Sequence, residues 1–110
     1  MLQLVQNYMN ENYSRGVSAE ELCAIMDCSR SAMYQKFKEL TGSTPSKYVN
    51  DLRIRHSQKL LITTDLSVAE IASGVGIEDQ FYFSRLFRSV TGTSASEYRK
   101  LNKIRDSGMR

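Results

Sequence analysis

The chain has 110 residues, 41% of them hydrophobic, with 15 basic and 12 acidic side chains and a formal charge of +3. That length fits one ordinary domain, and the apolar share excludes a disordered tail. No run approaches the roughly 18 consecutive apolar residues of a membrane span, and the mild positive balance leans toward polyanions without establishing one. Residues 1–13 are neutral to acidic and lack the basic start and long apolar run of a secretory signal, so the expected compartment is the cytoplasm. Long β-branched alternations are absent, and proline occurs once, at Pro45. The chain therefore reads as helices joined by short turns.

Leu2, Val5, Met9 and Tyr13 share one helical face and define the first element, which Gly16 ends. Ser18 and Glu21 form a capping-box pattern, so a second helix is expected to run to about Met26. Ser29 can cap a third helix that stops before Gly42. Thr44 followed by Pro45 opens the fourth, because proline suits the first helical position. It is expected to reach about Ile62, roughly 18 residues and about 27 Å. Ser67 with Glu70 repeats the capping box, Asp79 opens a sixth helix that Gly92 closes, and Ser94 with Glu97 begins a last one that frays near Asp106. The expectation is an all-α fold of seven helices.

The chain also repeats itself. At a shift of 49, Ser18 falls on Ser67, Glu21 on Glu70, Leu22 on Ile71, Met26 on Val75 and Cys28 on Ile77. One extra residue enters near Glu78. At a shift of 50, Met33 then falls on Phe83, Phe37 on Phe87, Leu40 on Val90, Thr41-Gly42 on Thr91-Gly92 and Tyr48 on Tyr98. Each copy is a helix, a tight turn, a second helix, a glycine stop and the start of a third, which is the pattern of a helix-turn-helix unit. Gly76 supplies a left-handed backbone in the second turn; Asp27 holds the matching place in the first, a less comfortable but tolerated choice. The expected organisation is a first subdomain at 1–43, a linking helix at 44–63, a second subdomain at 64–106 and a frayed tail at 107–110. Val49, Leu52 and Leu60 lie on one side of the linking helix, Ile54 and Leu61 on another, as a helix shared by two small cores requires.

Placing residues about 100° apart turns Met33, Phe37 and Leu40 inward and leaves Ser31, Tyr34, Gln35 and Lys38 outward. The same construction with Phe83, Phe87 and Val90 inward leaves Phe81, Ser84, Arg85 and Arg88 outward. Neither set contains an acid. Gln35 can pair with an adenine edge, Arg85 with guanine O6 and N7, and Phe81 can meet a thymine methyl. Ser31, Ser84 and Tyr34 can donate to bases or phosphates, Lys38 and Arg88 suit the phosphate backbone, and Arg30 and Gln80 sit at the helix starts where recognition helices touch base edges. A polar face with a few cations is also what any surface helix shows, and Phe81 could instead pack against the last helix. Two acid-free faces at matching positions point beyond that ordinary reading.

These residues resemble the AraC/XylS family of bacterial transcription regulators over nearly the whole chain. The most specific part is Val68-Ala69-Glu70-Ile71-Ala72, Val75-Gly76-Ile77, Tyr82-Phe83-Ser84-Arg85-Leu86-Phe87, Gly92 and Ser96-Glu97-Tyr98-Arg99. In the first half, Ser29-Arg30-Ser31, Lys36-Phe37-Lys38, Leu40-Thr41-Gly42, Thr44-Pro45 and Leu52-Arg53-Ile54-Arg55 fit as well. Residues 29–48 resemble especially the output domains of response regulators and hybrid two-component sensors. The resemblance implies two homeodomain-like three-helix subdomains joined by one long helix, each reading a major-groove segment with its second helix. It puts the base-facing positions on Arg30, Ser31, Tyr34, Gln35, Gln80, Phe81, Ser84 and Arg85. Asp27, Ile77 and Ala95 depart from the family's usual glycine, phenylalanine and proline, which bears on turns and packing rather than on the faces.

The partner expected is double-stranded DNA, bound sequence-specifically by two recognition helices on one side of the duplex. Successive major-groove segments there lie about 34 Å apart, which the linking helix roughly spans. RNA polymerase or other regulators are expected as further partners, a membrane is not, and any sensor or dimerisation region lies in another segment. A helical protein-interaction module with Phe81 and Tyr82 as anchors is the alternative. An enzyme is disfavoured. His56, the only histidine, reads as a half-buried packing or capping residue, and Glu20-Glu21 and Glu78-Asp79 complement helix starts. Cys23 and Cys28 are too few for a zinc site and read as small core residues. No catalytic residue, metal or cofactor is expected.

Overall fold

The computed structural model describes residues 1–103. Seven helices follow one another: α1 (Leu2–Asn12), α2 (Ala19–Met26), α3 (Arg30–Thr41), α4 (Pro45–Thr63), α5 (Val68–Gly74), α6 (Gln80–Thr91) and α7 (Ala95–Asn102). No strand occurs among the described residues. The expected fraying near Asp106 and the tail at 107–110 lie outside them.

Local chemistry sets the helix starts. The Ser18 hydroxyl accepts from the Glu21 amide, while the Glu21 carboxylate accepts from the Ser18 amide; Ser67 and Glu70 repeat both bonds. Ser29, Asp79 and Ser94 cap α3, α6 and α7 from one side only. Each such cap satisfies an amide that a helix start otherwise leaves without a partner. The stops are equally local. Gly42 and Gly92 adopt left-handed backbone at φ 79° and 84°, and their amides return to the carbonyls of Lys38 and Arg88.

The chain divides into two compact units, residues 1–52 and 53 onward, with the boundary inside α4. In the first unit Val5, Met9, Leu22, Met26, Met33, Phe37, Val49 and Leu52 form the buried cluster. Cys23 and Cys28 pack against it half-buried. A second tie lies outside the cluster. Glu21 accepts from the Tyr8 hydroxyl at 2.6 Å and from Arg15 Nη2 at 2.6 Å, joining α1 to the capping box of α2. These bonds, with the guanidinium first, hold the Glu21 carboxyl far below its ordinary 4.5, at about 2.

In the second unit Ile54, Leu61, Ile71, Ala72, Val75, Ile77, Phe83, Phe87 and Ala95 are buried. Ser57, buried among these helices, returns its hydroxyl to the Ile54 carbonyl at 2.7 Å. The exposed end of α4 is closed from α7. Arg99 donates through Nε to the Leu61 carbonyl at 3.0 Å and through Nη2 to the Thr64 carbonyl at 3.1 Å, and Lys103 reaches both the Thr64 carbonyl and Asp65. Cations are favourable there because the last carbonyls of a helix carry partial negative charge.

The expected inward sets hold for most members. α4 buries Val49 and Leu52 in the first unit and Ile54 and Leu61 in the second, with Leu60 half-buried. Two residues depart. Leu2 is exposed, because it lies in the first turn of α1, a turn before the buried Val5. Val90 is exposed, whereas its counterpart Leu40 packs on the first cluster. Leu40 and Val90 each lie one residue before the end of their helix, and valine ends one carbon short of the reach of leucine.

Candidate nucleic-acid interface

Two pairs of anchors orient the candidate faces. Met33 and Phe37 fix α3, and Phe83 and Phe87 fix α6; all four are fully buried. A helix pinned along one stripe presents the opposite stripe to solvent. Arg30, Ser31, Tyr34, Gln35 and Lys38 are all exposed, and so are Gln80, Phe81, Ser84, Arg85 and Arg88. The structure thus brings each expected set onto one accessible face of its own helix.

The short segments between helices set where these faces begin. Asp27 takes the left-handed conformation at φ 52° and ψ 56°, the one non-glycine residue with positive φ among those described. Its counterpart Gly76 sits at φ 99°. Both turns therefore bend alike, although only glycine adopts that backbone without a steric penalty. After the second turn, one carboxylate oxygen of Asp79 accepts from the amides of Phe81 and Tyr82 at 2.9 and 3.2 Å. That pair of hydrogen bonds to the first turn holds Phe81 at the start of the face.

Phe81 is 80% exposed, so it does not pack against the last helix. Burying such a ring is worth about 1.5–3 kcal/mol, a gain this fold leaves unused. Tyr82 beside it is 40% exposed.

The electrostatics of the two faces differ. In the first unit Arg30 Nη1 donates to Glu20 Oε2 on α2 at 3.2 Å, and Gln35 Nε2 donates to Glu39 Oε2 at 3.4 Å. In the second unit, among the described residues, neither Arg85 nor Arg88 forms an ion pair. Sequence reasoning placed Glu20 at a helix start but missed its contact with Arg30, and it missed Glu39. Glu39 was legible as the residue four places beyond Gln35, a spacing that puts two side chains together on a helix. Glu20 comes from another helix and left no local signal.

His56 is half-buried on α4, and burial, followed by Arg55 and Lys59, pulls its pKa below the ordinary 6.5. Among the described residues no group of three or more His, Cys, Asp or Glu side chains could hold a metal ion. No described helix is long and apolar enough to cross a membrane.

A family model described as a helix-turn-helix domain matches residues 22–101. The raffinose operon transcriptional regulatory protein RafR of Pediococcus pentosaceus is 39% identical over 97 residues, covering 88% of this chain and 35% of that protein. The chain therefore spans about a third of that relative's length. The DNA-binding domain of the global transcriptional factor AdpA, solved in complex with a target DNA, superposes with a TM-score of 0.82 at 31% identity, covering 91% of this chain and 90% of that one. The C-terminal domain of the two-component response regulator YesN from Fusobacterium nucleatum gives 0.79 at 31% identity, covering 88% and 95%.

Proposed function

The chain belongs to the AraC-type helix-turn-helix family, a family of DNA-binding regulator domains rather than enzymes, and from that premise we propose that it is the sequence-specific DNA-binding output domain of a bacterial transcription regulator. One observation carries the reading. All ten residues expected at the interface are exposed, and they lie on the outer faces of two helices related by the internal repeat. The likeness to the DNA-bound AdpA domain supports the same conclusion.

In this reading α3 and α6 enter adjacent major-groove segments of one duplex. α4 has 19 residues, about 28 Å of helix. Arg30 and Arg85 offer forked donors to guanine, Gln35 matches adenine, and Phe81 covers a thymine methyl. Ser31, Tyr34, Gln80 and Ser84 add hydrogen bonds at base edges. Lys38 and Arg88 neutralise phosphates and confer salt-dependent affinity. If the two faces and the groove spacing differ, DNA bending makes up the difference and adds sequence preference through stiffness.

The remaining two thirds of a full-length relative would supply sensing or dimerisation, and the likeness to the YesN domain supports a two-component setting. RNA polymerase or other regulators are the further partners, and the cytoplasm is where the DNA is met. The exposed Phe81 also favours a second reading, a protein-interaction module anchored by Phe81 and Tyr82. Selection of bound duplexes from random DNA, followed by titration at two salt concentrations, separates the two. A shared motif with affinity falling steeply in salt is expected. No enriched motif and a flat salt response would hand the face to a protein partner.

A further inference from the structure

Arg30 opens α3 where a recognition helix meets base edges, yet its guanidinium is already engaged by Glu20 of α2 at 3.2 Å. Both side chains are mostly exposed, 64% and 77%, so core packing does not explain the contact. The capping box of α2 does not use Glu20 either, since Ser18 and Glu21 complete it. The internal repeat isolates the feature further. Glu20 falls on Ala69 and Arg30 on Gln80, so the second unit carries neither member. Glu39, which engages Gln35, falls on Ser89. Among the described residues, acids that hold these outward side chains are thus confined to the first unit.

Such a contact affects different DNA sequences unequally. Sequence-independent binding is built from phosphates, each a single anionic contact available everywhere. A guanine edge instead offers two acceptors matched to both arms of a guanidinium. An exposed ion pair is weak, yet comparable to what one more phosphate contact contributes. It therefore competes with a phosphate and loses to a bidentate base contact.

We propose that Glu20 is a specificity-determining residue: it keeps Arg30 off phosphates in unselected DNA and yields it to a guanine edge in the selected site. This rests on the DNA-binding reading above. The test uses the intact chain, a duplex selected from random DNA by the wild type, and a scrambled duplex of the same length. Binding of wild type, Glu20→Gln, Arg30→Ala and the double variant is titrated across salt, with helical circular dichroism as the folding check.

Glu20→Gln is expected to tighten the scrambled duplex about two- to five-fold and to steepen its salt slope by about 0.9, one phosphate's worth. The selected duplex should gain less, so the ratio between the two falls. With Arg30 already replaced, Glu20→Gln should change neither duplex. Equal tightening of both duplexes, the same gain without Arg30, or no change at all would each overturn the proposal, leaving Glu20 as a nearby charge or a bystander. A wild type that selects no duplex overturns the DNA-binding reading with it.

Discussion

Phe37 meets Tyr48 edge to face at 5.6 Å in the first unit, and Phe87 meets Tyr98 at 5.7 Å in the second. Thr41 and Thr91 return their hydroxyls to the carbonyls of those phenylalanines, each at 2.8 Å. Gly42 and Gly92 close the helices with the same backbone. The outer faces repeat almost none of this. Ser31 stands where the second unit exposes Phe81, Gln35 where it carries Arg85, and Glu39 where it carries Ser89. Inside, steric fit accepts few solutions, so the two units keep the same contacts. Outside, water accepts nearly any side chain, so the two faces are free to differ.

Truncating the shared anchor tests that symmetry most severely. Phe37→Ala and Phe87→Ala each remove a fully buried ring, and each is expected to destabilise its unit by about 3–5 kcal/mol in chemical denaturation. A loss below about 1 kcal/mol in only one of them would show that the repeat is one of sequence and not of packing.

The outer faces should respond unequally. Arg85→Ala is expected to relax preference at one base position, a change of about 1–3 kcal/mol between right and wrong base. Lys38→Ala should weaken all sequences alike and reduce the salt slope by about one. Binding measured on a panel of single-base variants of the selected duplex distinguishes them, and the reverse pattern would exchange the two assignments.

The turns offer a smaller contrast. Asp27→Gly should stabilise the first unit and Gly76→Ala destabilise the second, each by about 1 kcal/mol, because only glycine tolerates the left-handed backbone freely. Thermal midpoints moving in opposite directions bear this out; matched shifts would mean that one of the turns does not need that conformation.

Acid gives the finest distinction. Arg15, Tyr8 and the Ser18 amide depress the Glu21 carboxyl to about 2, whereas Glu70 is lowered by Ser67 alone. A carboxyl bound more weakly to protons in the fold than in the unfolded chain stabilises above its unfolded pKa. Its contribution is complete above about 4.5 and drains as pH falls toward about 2. Glu21→Gln keeps a capping side chain but loses the charge, so the acid slope of the denaturation midpoint should flatten more than in Glu70→Gln. Equal flattening would remove the Arg15–Tyr8 network from the account.

Six of the seven helix starts were legible from Ser18, Ser29, Pro45, Ser67, Asp79 and Ser94, and three of the stops from Gly16, Gly42 and Gly92. Those signals act within about four residues of backbone, so the chain order alone specifies them. The repeat and the period of the apolar residues likewise determined which stripe of α3 and α6 turns inward, and hence eight of the ten residues that face water, Arg30 and Gln80 being added as the residues that open the two helices. Tertiary structure decided the rest. It placed Glu20 against Arg30, ten residues away along the chain. It brought Arg99 and Lys103 to the end of α4, left Val90 and Leu2 outside the cores, and left Phe81 bare. Periodicity fixes the direction of a side chain from its own helix axis. What that side chain meets depends on where neighbouring helices stop, a distance set by packing and not by the spacing of residues.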